Sequence, residues 1–173
     1  MPAPIPLATL NDLDQGAFAR ALGEVFEHSP WVAARAWARR PFASVAALHA
    51  AMMDAVRSSR ADDQLALIRA HPELAGREAA AGTLTADSTS EQGRLGFTAL
   101  ARAEVDRVAR VNRAYREKFD FPCIVALRLH ATRDAVLAEM ERRVDNDRDT
   151  EIAAALDQIG HITRGRLDQL VIR

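Results

Sequence analysis

A histidine stands directly before a proline in the stretch LIRAHPELAG, residues 67–76. Proline disfavours the helical conformation of the residue before it, so Pro72 predicts that the preceding helix ends by Ala70. We expect His71 to project from an exposed helix end, where a protonated imidazole interacts favourably with the helix dipole. Histidine also transfers protons near neutral pH. His71 can therefore be a helix terminator, a general acid and base, or both, since ending a helix presents the side chain to a cleft.

A second candidate group is DSTSEQ, residues 87–92, in which Glu91 follows Ser88 by three positions. This spacing is typical of a capping box, and we expect it to start a long helix over residues 89–119. A helix N-terminus also presents backbone N–H groups that can hold an anionic substrate. The structural cap and the anion site are compatible interpretations.

Arg166 lies seven residues after Ile159 and four after Ile162, on or beside the apolar stripe of the last predicted helix. A guanidinium there reaches the edge of the core, pairs with a carboxylate or binds a ligand. The remaining histidines have no spacing typical of metal ligands, so we expect surface or satisfied core residues and no metal site: His28, His49, His130 and His161. The sequence has no Gly-rich phosphate loop, and a nucleotide cofactor is not indicated.

The elements that must position these groups belong to a chain of 173 residues, which suits one domain over residues 1–173. Lys and Arg (23) nearly balance Asp and Glu (24), and a net charge of −1 provides no field that would attract nucleic acid or an anionic membrane. The single cysteine, Cys123, excludes an internal disulfide and favours a reducing, cytoplasmic setting. Because no stretch is typical of a membrane span or signal peptide, we expect a soluble protein.

Alanine, leucine and arginine are abundant, and apolar residues recur at steps of three and four, which predicts an all-α, single-domain multi-helix bundle. Ser44 is the expected N-cap of a helix with an apolar stripe of Val45, Leu48, Met52 and Val56. Two further stripes are Val105, Val108, Tyr115 and Phe119, and Ile152, Leu156, Ile159, Thr163 and Leu170. Shorter helices are expected over 11–27, 31–40, 62–70 and 132–145. The helical period is lost over residues 71–88 and 119–130.

Four motifs occur in order along the chain: HPEL at 71–74, STSEQ at 88–92, NRAYREKFDFP at 112–122 and HITRGRL at 161–167. Together they resemble the 2-oxo-4-hydroxy-4-carboxy-5-ureidoimidazoline (OHCU) decarboxylases of urate degradation. The stretch FEHSPWVAARAWARRPF, residues 26–42, is similar to that family's opening Pro-Trp helix and the Arg-Pro-Phe that follows it.

This resemblance implies an all-helical enzyme, commonly a homodimer, that converts the small molecule OHCU to (S)-allantoin and carbon dioxide without a cofactor. It implies catalytic roles for His71, Glu91 and Arg166. It places substrate binding at Pro72, Ser88, Gln92, Cys123, Ile124 and Val125. No nucleic acid or membrane partner is implied.

Three positions depart from the family pattern. Asp120 replaces a glycine, Cys123 replaces a phenylalanine, and Gly165 replaces a larger apolar residue beside Arg166. Two alternatives stay open at this point. In one, the chain is a non-enzymatic all-α interaction module in which HPEL is only a turn; in the other, it is a related enzyme that acts on a different ureide.

Overall fold

The computed structural model describes residues 3–172, which group into two compact units. One unit comprises the residues up to Ala70 and those from Gly160 onward, and the other is His71–Ile159. Met1, Pro2 and Arg173, which belong to the domain expected over 1–173, lie outside the described residues. Regular structure is almost entirely helical, which confirms the expected all-α class. Within residues 3–172, no helix is long and apolar enough to cross a membrane.

The first unit is built from helices near the two ends of the chain. These are α1 (Leu7–Asp12), α2 (Gln15–Leu22), α3 (Pro30–Ala36), α4 (Val45–Arg57), α5 (Ala61–Ala70) and the later part of α10 (Arg148–Leu170). A short 3₁₀ turn, Trp37–Arg39, follows α3. Strands β1 (Ile5–Pro6) and β2 (Val171–Ile172) pair in parallel.

Local signals explain three of the helix ends in this unit. The Ser44 hydroxyl accepts a hydrogen bond from the Ala47 amide, which confirms the expected N-cap of α4. Leu48, Met52 and Val56 are fully buried. The helix expected over 11–27 is divided, because the Asp14 side chain caps a second helix by accepting from the Ala17 amide. Helix α5 ends at Ala70, as the proline at position 72 predicts.

The second unit contains α6 (Arg77–Ala81), α7 (Ala86–Arg94), α8 (Arg102–Phe119), α9 (Arg133–Arg143) and the first part of α10. A 3₁₀ turn covers Leu127–Leu129. Its core includes the rings of Tyr115, Phe119 and Phe121, whose centroids lie 4.6 to 5.9 Å apart. These aromatic contacts bury the end of α8.

The expectation of one long helix over 89–119 is wrong, because α7 ends at Arg94 and α8 begins at Arg102. Gly96 follows α7 with φ 74°, and the Phe97 amide donates to the Gln92 carbonyl at 2.9 Å. A glycine in the left-handed conformation is a common way to end a helix. Val105, expected in the buried stripe, is 47% exposed.

Asp120 lies at the end of α8 in the left-handed conformation, with φ 62° and ψ 30°. Its amide donates to the Arg116 carbonyl at 2.8 Å and completes the helix end. Aspartate tolerates this conformation better than most residues with a side chain. Asp120, in place of the family's glycine, therefore still adopts the left-handed conformation of a turn. Helix α8 ends at Phe119, before Pro122.

Candidate active site

His71 begins a turn of residues 71–76, called here the His71 turn, immediately after α5. The expectation of an exposed helix end is wrong, because His71 is only 5% exposed. Leu74 in the same turn is also buried, so the turn packs into the core. The Nε2 atom of His71 is buried and has no hydrogen bond to any of residues 3–172, although the residue has other interactions there.

Gln92 connects α7 to the His71 turn through both ends of its carboxamide. Its Oε1 accepts from the Ala75 amide at 2.9 Å, and its Nε2 donates to the Glu73 carbonyl at 3.5 Å. The side chain thus forms hydrogen bonds with one backbone donor and one backbone acceptor of the turn. Neither group is part of a helix or strand.

Helix α7 presents a polar face to the protein interior. Its N-cap is Thr85, whose hydroxyl accepts from the Ser88 amide at 3.2 Å, so the expected capping box of Ser88 and Glu91 is wrong. Ser88 and Gln92 are the residues that α7 buries. Because Ser88, Glu91 and Gln92 are spaced by three and four, they share one face of the helix. Burying a polar face is costly unless its groups are satisfied, which makes α7 a candidate wall of a polar site.

The predicted binding residues Cys123, Ile124 and Val125 lie in a fully buried segment between α8 and the 3₁₀ turn that begins at Leu127. Side chains from distant helices hold this segment, residues 123–127. Arg143 donates to the Ile124 carbonyl at 2.6 Å, and Gln158 accepts from the Ala126 amide at 2.7 Å. Burial raises the pKa of the Cys123 thiol to about 12, which keeps it protonated at neutral pH.

Helix α7 also contacts the end of this segment. Arg94, the last residue of α7, donates to the carbonyl of Leu127 and to that of His130. Helix α7 therefore contacts two other elements of the second unit. Gln92 contacts the His71 turn, and Arg94 contacts residues 127–130.

Arg166 belongs to the first unit and lies on α10. It is buried, and its Nη1 is 2.8 Å from the Glu27 carboxylate and 3.4 Å from the Val25 carbonyl. Arg164, two positions earlier, is partly exposed and pairs with Asp168 on the same helix at 2.9 Å. The two arginines therefore face different surroundings, as their spacing on the helix predicts.

The other four histidines lie in separate surroundings. His28 and His161 are exposed, His130 pairs with Glu139, and His49 lies 3.1 Å from the Thr163 hydroxyl. Burial and the nearby Arg164 guanidinium lower the pKa of His49. Over residues 3–172, no group of three or more His, Cys, Asp or Glu side chains is placed to hold a metal ion.

Comparison with known proteins decides the family. The family model for OHCU decarboxylases matches residues 11–168. The chain belongs to the OHCU decarboxylase family. The OHCU decarboxylase of Haloferax volcanii is 42% identical over 163 residues, which cover 94% of each chain. That of Mus musculus is 34% identical over 165 residues, which cover 95% of this chain and 92% of the mouse chain. The resemblance seen in the sequence is thereby confirmed.

Solved structures agree with this membership in the OHCU decarboxylase family. A crystal structure of (S)-allantoin synthase matches with a TM-score of 0.74 at 30% identity, over 96% of this chain and 54% of the other. A crystal structure of OHCU decarboxylase in the presence of (S)-allantoin matches with a TM-score of 0.67 at 19% identity, over 91% and 98% of the two chains. At that identity, the second match shows the fold alone.

The sequence analysis of this OHCU decarboxylase family member did not predict several residues that contact the His71 turn, residues 123–127 or Arg166. They are Glu27, the partner of Arg166; Asn112 and Arg116, which contact the His71 turn; and Arg143, which holds Ile124. A buried arginine indicates that a carboxylate partner exists. The position of the arginine in the sequence does not show which carboxylate that is.

Proposed function

We propose that this protein is a carboxy-lyase that decarboxylates OHCU to (S)-allantoin in urate degradation. The observation that carries the proposal is the family match over residues 11–168, together with 42% identity to an OHCU decarboxylase over 94% of both chains. The order of the motifs HPEL, STSEQ and HITRGRL along this sequence supports the same conclusion.

The reaction sets three chemical requirements. Breaking the bond to the carboxylate releases carbon dioxide and leaves an electron pair on carbon, which the adjacent carbonyl and imidazoline system can spread as an enolate-like species. The protein must orient the carboxylate, place hydrogen bonds where charge develops, and deliver a proton to one face of the intermediate. The substrate's own conjugation supplies the electron sink, and we propose that neither a metal nor an organic cofactor takes part.

We assign the proton transfer to His71, because histidine is the side chain most often used as a general acid and base. Burial of its ring supports this role, since a site that excludes water strengthens hydrogen bonds to developing charge. Glu91 shares a face of α7 with Ser88 and Gln92, and we assign it to orienting the imidazole or accepting a substrate proton.

We assign Arg166 to the oxygen atoms of the substrate. A guanidinium carries five N–H donors, so the ion pair with Glu27 and a bidentate contact to a carboxylate are compatible. The pair with Glu27 fixes the position of the guanidinium, which is what recognition of a planar carboxylate requires.

We propose that Pro72, Ser88, Gln92, Cys123, Ile124 and Val125 contact the rest of the substrate. Ser88 and Gln92 are suited to the polar ureido and ring groups, because both are buried on one face of α7. An amide nitrogen carries two protons, so Gln92 can hold the His71 turn and donate to the substrate with the same group.

The family resemblance also supports a homodimer as the working assembly, which light scattering of the purified protein would test. The cytoplasmic location remains a proposal that rests on the single, buried cysteine.

The function is tested by supplying freshly generated OHCU and following the circular dichroism of the product. Spontaneous decay gives racemic allantoin, so an enzyme of this class accelerates the reaction and builds the signal of the (S) enantiomer. His71→Asn protein, purified in the same way, controls for contaminating activity. An unchanged rate with racemic product would reject the proposal and return the choice to an interaction module or an enzyme for another ureide.

A further inference from the structure

The His71 turn makes little use of its own backbone to hold its shape. Within it, the Gly76 amide donates to the Glu73 carbonyl at 3.2 Å. Ala75 has φ 47°, a left-handed conformation that a residue with a Cβ adopts at a cost. Such a conformation persists only where the surroundings over-determine it. The stabilising contacts must therefore come from side chains outside the turn.

Helix α8 supplies two of these contacts. Asn112 is buried, and its Nδ2 donates to the Leu74 carbonyl at 2.9 Å. One turn later, the Arg116 guanidinium lies 2.6 Å from the Glu73 carboxylate. Asn112 and Arg116 are four positions apart, so both point from the same face of α8.

Together with Gln92, these side chains hold three successive residues of the turn, Glu73, Leu74 and Ala75. The first of them is two positions from His71 and separated from it only by Pro72, whose ring restricts φ. A displacement of residues 73–75 should therefore also displace the His71 imidazole.

We infer that Asn112 and Arg116 are positioning residues that hold the His71 imidazole in its working orientation. The inference rests on the proposed function, because it assigns them to the histidine that transfers the proton. Neither residue needs to touch the substrate. Their effect on the reaction comes from fixing residues 73–75 against α8.

Arg116 permits the sharper experiment, because α8 carries a matched ion pair elsewhere. Arg107 binds Glu141 through two hydrogen bonds, of 2.8 and 2.9 Å, and Asp134 at 3.1 Å, so its ion-pair partners lie on α9. Arg116 is 41% exposed and Arg107 33% exposed, so replacing either removes a partly exposed guanidinium from the same helix.

We expect Arg116→Ala to lower kcat by about 10- to 100-fold, the cost of a small misplacement of a reacting group, with a smaller change in KM. Arg107→Ala should leave kcat within about 2-fold, because its partners Glu141 and Asp134 belong to α9 and not to the His71 turn. Both variants should keep their Tm within about 4 °C of the parent protein. Arg116→Lys, which keeps a charge beside Glu73, should recover part of the lost kcat.

A double-mutant cycle tests whether Arg116 acts through the turn. Glu73→Gln and Arg116→Ala should each lower kcat, and the double variant should be no worse than the more impaired single variant. The same cycle on Glu141 and Arg107 should show no effect on kcat. Additive losses at Glu73 and Arg116 would overturn the positioning role, as would an unchanged kcat in Arg116→Ala.

An NMR measurement distinguishes failure of this inference from failure of the proposed function. The chain has five histidines, and the imidazole signal that disappears in His71→Asn identifies His71. Arg116→Ala and Asn112→Ala should shift or broaden that signal, whereas Arg107→Ala should not. This readout needs no activity. If the signal moves while the parent protein makes no (S)-allantoin, the proposed function fails and the link between α8 and His71 stands; an unmoved signal overturns the link itself.

Discussion

Arg166 and Glu27 form a buried ion pair, in which Nη1 and Oε2 are 2.8 Å apart and the two side chains are 4% and 2% exposed. The partners are 139 positions apart in the sequence. Removing one member of such a pair leaves an uncompensated charge in the interior, which typically costs about 3–5 kcal/mol. Glu27 therefore stabilises the buried guanidinium whether or not Arg166 also binds a ligand.

The first prediction concerns Arg166→Lys. A lysine keeps the charge but loses the planar fork, so we expect kcat/KM to fall on the order of 10- to 100-fold, the worth of one hydrogen bond to a charged group. Arg164→Lys is the matched control and should change kcat/KM by less than about 2-fold, because its pair with Asp168 is partly exposed. Steady-state kinetics of both variants checks this.

The reverse result, a tolerated Arg166→Lys and a damaging Arg164→Lys, would remove Arg166 from the site. Glu27→Gln separates the structural role from the chemical one. If Arg166 only stabilises the fold, then Glu27→Gln and Arg166→Lys should reduce activity in proportion to their loss of folded protein.

The second prediction concerns His71→Asn. We expect kcat to fall by roughly 10²–10⁴, the usual contribution of a general acid and base. Because His71 is buried, asparagine is preferred to alanine, which would leave a cavity. Circular dichroism should show a folded protein. A folded variant with nearly the parent rate would place the proton transfer elsewhere.

The third prediction separates Glu91 from helix capping. The N-cap of α7 is Thr85, so Glu91→Gln should keep the free energy of unfolding within about 1 kcal/mol of the parent value while activity is lost. Thr85→Ala should instead lower that free energy by about 0.5–2 kcal/mol. Urea unfolding and the allantoin assay measure the two effects. Full activity in Glu91→Gln would exclude a role that depends on its charge.

The fourth prediction concerns Arg143 and Glu151, whose buried side chains pair at 2.8 Å. Burial alone would raise the pKa of Glu151, but hydrogen bonds from Arg143, Tyr115 and Asn146 outweigh it and lower that pKa below its ordinary value. Glu151→Gln should therefore reduce the free energy of unfolding at pH 7 by about 3–5 kcal/mol.

The lowered pKa of Glu151 also sets the sign of the pH dependence. Glu151 binds a proton more tightly in the unfolded chain than in the folded protein. The stabilisation from ionised Glu151 is therefore complete above an ordinary glutamate pKa of about 4.3, and it is lost as the pH falls through the lower pKa of Glu151 in the folded protein. Urea unfolding from pH 7 to 3 should show a smaller loss for Glu151→Gln than for the parent protein. Hydrogen bonding to Arg107 also lowers the pKa of the exposed Glu141, so Glu141→Gln should flatten the curve too, but less than Glu151→Gln because solvent screens that pair. A slope in Glu151→Gln identical to that of the parent protein would contradict the assignment.

The sequence alone determined the helical class and several helix boundaries. Ser44 caps α4, and α5 stops at Ala70 before the proline at position 72. These features depend on groups within four residues of each other, which is the range of helix capping and of a proline's steric effect. The motif order also sufficed to predict the OHCU decarboxylase family.

Local signals were ambiguous where two of them competed. Thr85 and Ser88 are both good N-cap residues, and the sequence pattern favoured Ser88 because Glu91 follows it, whereas the helix begins after Thr85. Gly96 contained the signal that ends α7, but the prediction extended the helix with the apolar stripe from Val105 to Phe119 back to residue 89.

The tertiary structure alone decided which polar groups meet. The pairing of Arg166 with Glu27, the contact of Asn112 with Leu74, and the burial of His71 join residues that the sequence separates or leaves exposed. A buried charge or turn requires a partner, and this requirement can be recognised from residue type. The identity of the partner depends on how helices pack, because side chains distant in sequence become neighbours only when apolar faces are buried together.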